Sequence, residues 1–243
     1  MKLSYQWRRI IVILLALIGV GSWVVINPQS YERELVPQIA ATEEAIDTSV
    51  DAPLATEVLA QLEIKGRAPK AGYTREQFYD GWPKVDGCSL RQRIIKRDFG
   101  ETAVMDSANP CNVIAGSYLE PYTGVWTTFA ERSEISKNVQ IDHIVALSDA
   151  WQKGAQNLDK DTRYLIATDP LNLVAADAAA NMKKGDGDAA TWLPANKAFR
   201  CQYVARQISV KYKYGLWVTQ AEHDAIARVL EPCPAERAVG VEL

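Results

Sequence analysis

The sequence predicts an α+β fold for most of its 243 residues. Three observations carry this expectation: helix-start signatures precede apolar periodic segments, short β-like runs separated by turn residues occupy the middle of the chain, and a strand, strand, helix succession spans residues 139–184. A chain of this length builds one good-sized core, so one folded domain is expected, over residues 62–243.

Before that domain the chain changes character twice. Lys2, Arg8 and Arg9 precede an almost unbroken apolar run at residues 10–26, which ends at Asn27-Pro28. Residues 1–28 therefore read as a membrane-targeting segment, too short to separate a spanning helix from a secretory signal by length alone. No small-x-small cleavage site follows closely, which favours an anchor with its N-terminus in the cytoplasm; a cleaved signal is the alternative. Residues 29–61 are acidic, with seven carboxylates set against Arg33 and prolines at Pro37 and Pro53, and read as a tether.

Within the domain, Thr74-x-x-Gln77 is a capping box for a short helix, and Ser89 caps a helix that runs through Leu90, Ile94 and Ile95 and stops at Gly100. Residues 113–118 and 125–129 are β-like and joined by Glu120-Pro121-Tyr122-Thr123-Gly124, which suggests a hairpin. Residues 139–144 form a third stretch. Ser148 and Asp161 are placed to cap two short helices, and Asp169-Pro170 breaks the chain before a short apolar strand at 171–175. A helix then carries Asn181. Asn196 caps a helix ending near Gly215, and Thr219-x-x-Glu222 boxes a last one through Leu230.

An extracytoplasmic destination agrees with four cysteines, an even number suited to disulfides. Three pairings are possible, and the sequence-local Cys88 with Cys111 and Cys201 with Cys233 is preferred, each worth about 3 kcal/mol by loop closure. The absence of a C-x-x-C spacing leaves a zinc site without support. The net charge of −3 argues against general stickiness for nucleic acid. The window from Lys183 to Lys213, however, holds seven lysines and arginines against Asp186 and Asp188, and offers either a phosphate-facing patch or a solvated helix face. Tyr203, Tyr212 and Tyr214 interleave with those charges. Gly185-Asp186-Gly187-Asp188 lacks the oxygen spacing of a calcium loop and reads as a helix-ending turn.

The chemistry concentrates on Asp142-His143, Asn172, Asn181 and Lys184. Only two histidines exist, and His223, in Glu222-His223-Asp224, reads as a surface residue of the last helix. Asp142 supplies a hard anionic oxygen and Asn181 a carbonyl oxygen, a pair suited to Mg²⁺, which keeps most of its shell as water. His143 is the candidate proton acceptor, and a backbone carbonyl or an amide such as Asn172 would hold its ring. Neighbouring residues of a strand point to opposite faces, so ligand and base separate if the strand ends there.

Gln140-Ile141-Asp142-His143-Ile144-Val145, Asn172-Leu173 and Asn181-Met182-Lys183-Lys184 resemble the HNH endonuclease signature. Flanking strings strengthen the likeness: Gly72-Tyr73-Thr74-Arg75, Asp86-Gly87-Cys88, Pro121-Tyr122-Thr123-Gly124, Ala150-Trp151 with Gly154-Ala155, and Trp192-Leu193-Pro194. Together they are similar to extracytoplasmic bacterial HNH proteins related to the C-terminal nuclease domain of GmrSD-type restriction endonucleases, over about residues 65–233. The resemblance implies a ββα-metal finger with added helices and a short antiparallel sheet. It implies Asp142 and Asn181 as metal ligands, His143 as general base, Asn172 as the residue positioning the finger, and Lys184 near the substrate phosphate. Asn181 stands where histidine is common, which suits Mg²⁺, or Mn²⁺, better than zinc.

The expectation is thus a metal-dependent endonuclease acting outside the cytoplasm, anchored or secreted, with DNA favoured over RNA and no protein partner inferred. The alternative is a non-catalytic envelope module that binds nucleic acid or protein on the same fold. A peptide or peptidoglycan metallohydrolase finds no H-E-x-x-H helix here.

Overall fold

The computed structural model describes residues 52–240; the predicted membrane segment and residues 29–51 of the predicted tether lie outside them. The folded part begins earlier than expected. Ala55–Leu59 form helix α1, whose Ala55, Val58 and Leu59 are buried. Removing two branched apolar side chains from water stabilises by about 1.5–3 kcal/mol each, which outweighs the acidic composition that suggested a tether. The Ala55 amide donates to Glu236 O (2.9 Å) and the Ala238 amide to Pro53 O (3.0 Å), so the start of the fold is stitched to its end.

The elements that follow are strands β1 (Lys84–Val85) and β2 (Cys88–Ser89), helix α2 (Leu90–Phe99), strands β3 (Val104–Met105), β4 (Val113–Leu119) and β5 (Trp126–Phe129), helix α3 (Arg132–Asn138), strand β6 (Val139–His143), helices α4 (Leu147–Gln152) and α5 (Lys160–Thr168), strand β7 (Leu173–Asp177), and helices α6 (Ala178–Lys184), α7 (Arg200–Lys213) and α8 (Gln220–Leu230). The strands make a β1-β2 pair, a β3-β4-β5 sheet and a β6-β7 pair, all antiparallel. The α+β expectation therefore holds. The 113–119 and 126–129 strands form the predicted hairpin, with Leu119 opposite Trp126.

Local signals placed most helices well. Ser89 stands at the N-cap of α2 and Gly100 follows it at φ 57°, a conformation open to glycine at little cost. Thr219 accepts from the Glu222 amide at the head of α8, and Asn196 accepts from the Ala198 amide ahead of α7. Three caps differ from expectation, the first being Thr74, which precedes a single 3-10 turn at Arg75–Gln77 without a side-chain cap bond. The cap of α5 is Asp159, which accepts from the Thr162 amide, and Ser148 lies inside α4, whose N-cap is Ala146. Both disulfides join the preferred pairs: Cys88–Cys111 fastens β2 to the loop before β4, and Cys201–Cys233 fastens α7 to the segment after α8.

Register in the β6-β7 pair sets the core. Val139, Ile141, Leu173 and Ala175 face a cluster with Ile94, Ile95 and Phe99 of α2, whereas Val174 and Ala176 face α1, α7 and α8. Side chains stand in for a third strand along β7. Arg97 and Arg206 donate to Leu173 O (2.7 and 2.8 Å), Asp98 accepts from the Ala175 amide (2.7 Å), and Glu120 accepts from the Asp177 amide (3.0 Å). Buried edge groups are thereby paired, as the cost of orphaned backbone donors and acceptors demands.

The second organising feature is ionic. Lys153 Nζ reaches Asp149 and Asp188 (both 2.7 Å) and Glu222 (2.6 Å); Lys211 Nζ reaches Glu222 (2.6 Å) and Asp149 (3.2 Å); Arg67 reaches Asp188 (2.8 Å) and Asp149 (3.0 Å). All but Arg67 are buried. Burial alone would lower the Lys211 pKa, but Asp149 and Glu222 raise it above the ordinary lysine value. Lys153→Met is expected to lower the unfolding free energy by about 3–5 kcal/mol in a urea titration, because three buried carboxylates lose their shared cation; a loss below about 1 kcal/mol would show that the network does not carry this weight.

Candidate active site

Strand β6 ends at the Asp142-His143 pair, and pleating sends the two side chains to opposite faces: Asp142 lies opposite Val174 and His143 opposite Leu173. Beyond the strand the backbone is clamped by Asn172. Its carbonyl accepts from the Ile144 amide (2.7 Å), its Oδ1 accepts from the Val145 amide (2.8 Å), and its Nδ2 donates to Ile166 O (2.9 Å). Asn172 is fully buried and touches the segment after His143, not the imidazole. It fixes the end of β6 against α5 and β7.

The ring of His143 is held by the Ala167 carbonyl, 3.0 Å from Nε2. A carbonyl only accepts, so the neutral ring carries its hydrogen on Nε2 and its lone pair on Nδ1. Trp82 stacks on the imidazole, with centroids 5.9 Å apart and planes 12° apart, and Tyr79 packs against it at 5.8 Å. Burial above all, helped by the charges of Arg75 and Lys184 and opposed by the bond to Ala167, lowers the His143 pKa to about 3. The imidazole is therefore neutral across the physiological range.

Asp142 is 6% exposed and held from below. Tyr122 donates its hydroxyl to Oδ2, and burial followed by the Asp142 charge raises the phenol pKa well above its ordinary value. Trp192 and Tyr203 pack edge-on against the Tyr122 ring at 5.0 and 5.9 Å. Glu120 accepts from the Thr123 amide (2.6 Å) and so fixes the turn that carries Tyr122. Lys184 completes the setting, with Nζ 2.8 Å from Asp142 Oδ2 and 2.6 Å from His143 O. This corrects the expectation for Lys184: its side chain is wholly enclosed, and its charge is spent on a buried carboxylate and a carbonyl.

Asn181 stands on α6, whose start is capped by Asp177 accepting from the Ala180 amide (2.8 Å). Its Nδ2 donates to Gln140 Oε1 (2.8 Å), which leaves the amide oxygen as the atom able to meet a cation. Asp142, His143 and Asn181 line one cleft of about 330 Å³, with Tyr73, Arg75, Ser148, Met182 and Asp186 on its walls. Asp186, set aside on sequence grounds, lies here and accepts from Ser148 (3.0 Å) and Lys70 (2.9 Å), whereas Asp188 belongs to the buried ionic network. Among the described residues no group of three or more His, Cys, Asp or Glu gathers to hold a metal. Oxygen donors prevail among the side chains lining the cleft, a chemistry that fits a hard divalent cation such as Mg²⁺, which keeps waters of its own, better than zinc.

The basic window does not form one phosphate-facing surface. Lys184 and Lys211 are buried against carboxylates, Arg200 donates to Pro194 O, Arg206 donates to Leu171 O and Leu173 O, and Lys213 pairs with Asp169. Tyr203 is buried in the core, and Tyr214 donates its hydroxyl to Asp169. His223 lies on α8 beside Asp224 and does not line the cleft. Sequence reasoning missed Tyr122, Tyr79 and Trp82 as site residues; Tyr122 sits in a string used for the family resemblance, but nothing in its spacing foretells a bond to Asp142.

The family described as "GmrSD restriction endonucleases, C-terminal domain" matches residues 90–229. An "Uncharacterized secreted protein" of Arthroderma benhamiae is 32% identical over 202 residues, which cover 80% of this chain and 94% of the relative. No solved structure matches the chain. The family match takes in Asp142, His143, Asn172, Asn181 and Lys184 together with the strands and helices that hold them, and the chain belongs to the family of the C-terminal domain of GmrSD restriction endonucleases.

Proposed function

We propose that this chain is a metal-dependent endonuclease that hydrolyses nucleic-acid phosphodiester bonds outside the cytoplasm, with DNA as the favoured substrate. The observation that carries the reading is the single cleft onto which Asp142, His143 and Asn181 open. The name of the matched family supports nuclease chemistry. On this reading β6, β7 and α6 are the ββα-metal finger of an HNH nuclease. Asp142 and Asn181 hold one divalent ion, Mg²⁺ or Mn²⁺, through oxygen. When bound, such an ion neutralises charge on the phosphate and favours deprotonation of an attacking water.

The protein's own groups do the rest. His143 Nδ1 accepts the proton of the attacking water, while Ala167 holds the other nitrogen and so fixes which atom is the base. At rest the imidazole is a weak base, and the negative charge of an entering phosphate raises its pKa toward the working range. Tyr122 and Lys184 keep Asp142 aimed, and Asn172 keeps the strand end in place.

An extracytoplasmic location is supported by the two disulfides, which persist in oxidising compartments, and by the secreted relative. Among the described residues no helix is long and apolar enough to cross a membrane. Anchoring or release would turn on residues 1–28, outside the described part. One observation favours the second reading, a non-catalytic binding module: the Asp142 carboxylate is already engaged by Lys184 and Tyr122.

Incubation with supercoiled plasmid separates the two. The nuclease is expected to nick it in Mg²⁺ or Mn²⁺ and not in chelator, with His143→Ala slower by about 10² to 10⁴. Binding without cleavage in any divalent metal would favour the module. Asn181→Ala removes a half-buried candidate ligand whose only side-chain hydrogen bond among the described residues is to Gln140, so it is expected to raise the metal concentration for half-activation about tenfold, as loss of one ligand-shell group does, without changing the melting temperature; an unchanged metal requirement would remove Asn181 from the site.

Stability gives an independent check on His143. Its pKa is lowered to about 3 in the fold, against about 6.5 in an unfolded chain, so below pH 6.5 the unfolded state takes up a proton that the fold refuses. The melting temperature of the metal-free protein is expected to fall from pH 6.5 toward pH 4, and His143→Gln should flatten that slope. Parallel curves for the two proteins would contradict a buried neutral imidazole.

A further inference from the structure

We propose that Arg75 is the cation that grips the substrate phosphate, the place that the family resemblance implied for Lys184. The inference rests on the nuclease reading of the cleft and names a residue that this reading does not use. Among the described residues lining the cleft, Arg75 is the sole lysine or arginine. Nearby cations are committed elsewhere: Lys184 to Asp142, Lys70 to Asp186, and Arg67 to Asp149 and Asp188.

Arg75 is different in both exposure and partner. It is solvent-exposed, and no ion pair joins it to a carboxylate among the described residues. Its Nε donates to the Tyr79 hydroxyl at 3.1 Å, Nη2 donates to the same oxygen, and the guanidinium lies 5.1 Å from the Tyr79 ring centroid. A phenol orients the guanidinium without neutralising it, and among the described residues no hydrogen bond engages Nη1. Tyr79 in turn packs on His143, so one buried aromatic wall holds both the base and this cation. An oriented, charged fork beside a base is suited to the paired non-bridging oxygens of a phosphodiester, which a lysine meets only as a point charge.

The test uses the full chain, its Arg75→Ala and Arg75→Lys variants, and Lys160→Ala as an exposed cation off the cleft. Binding to a DNA duplex is measured in chelator across a salt series, and plasmid cleavage in Mg²⁺ and Mn²⁺. Arg75→Ala is expected to reduce the salt slope of log K by about 1, and to lower kcat/KM by about 10² or more, with its melting temperature unchanged. Arg75→Lys should restore the salt slope but not kcat/KM, which a merely structural role would not separate, and it decides the matter if the alanine variant fails to fold. Wild-type slope and kcat/KM in Arg75→Ala, beside an active parent, would overturn the Arg75 assignment alone. A lowered slope with no cleavage by the parent would keep the phosphate site and remove the nuclease reading. Absence of both binding and cleavage in the parent would overturn both.

Discussion

Charge that has been taken out of water has to find a partner, and much of this fold is organised by that demand. Lys153, Lys211, Asp149, Asp188 and Glu222 are buried, with Arg67 closing the set at the surface, three cations against three carboxylates. They come from α4 and its C-terminal end, α7, α8, the loop after α6 and the segment after α1, so pairing them ties together pieces that are distant in sequence. Packed apolar residues of equal volume often hold such a place as firmly, but once the ions are there the loss of any one partner leaves a charge buried and unpaired. The same rule acts at the site, where Lys184 pairs with Asp142, itself only 6% exposed.

That demand also explains which parts of the chain were legible in advance. Helix starts and stops depend on a few neighbouring residues, so Thr219, Asn196 and Gly100 announced them. The hairpin, the β6-β7-α6 succession and both disulfides follow from local runs and spacing. The fate of a lysine is a different matter. Lys184 and Lys211 sit in the same basic window as the exposed Lys183 and Lys197, and only distant carboxylates, Asp142 for one and Asp149 with Glu222 for the other, decide that they turn inward. Composition counted them as surface charge. The acidic stretch around α1 misled for a similar reason: Val58 and Leu59 acquire their core only when α7 and α8 arrive from more than 140 residues away.

The site shows the same division. Asp142, His143 and Asn181 were nameable because the β6-β7-α6 unit is contiguous enough for its pattern to survive in sequence, and they share a cleft. What holds them was not. Tyr122 reaches Asp142 from the hairpin turn, Ala167 holds His143 from the end of α5 through a backbone atom with no side-chain signature, and Tyr79 with Trp82 encloses the imidazole from a segment more than 60 residues earlier.

These supports bear on how the proposed chemistry is switched on. An imidazole enclosed by Trp82 and Tyr79, with Arg75 and Lys184 nearby, is held neutral and weakly basic, which keeps Nδ1 unprotonated at any ordinary pH. Such a base is always ready to accept a proton but has little drive to do so. A phosphodiester entering the cleft changes both terms at once: its negative charge offsets the cations that depress the imidazole, and its bulk displaces water from the cleft, which strengthens every charge interaction there. On the proposed reading, substrate therefore supplies part of the basicity that its own hydrolysis needs. The cost of keeping the base buried falls on the empty protein, and the interaction that offsets it forms only when a phosphate is present.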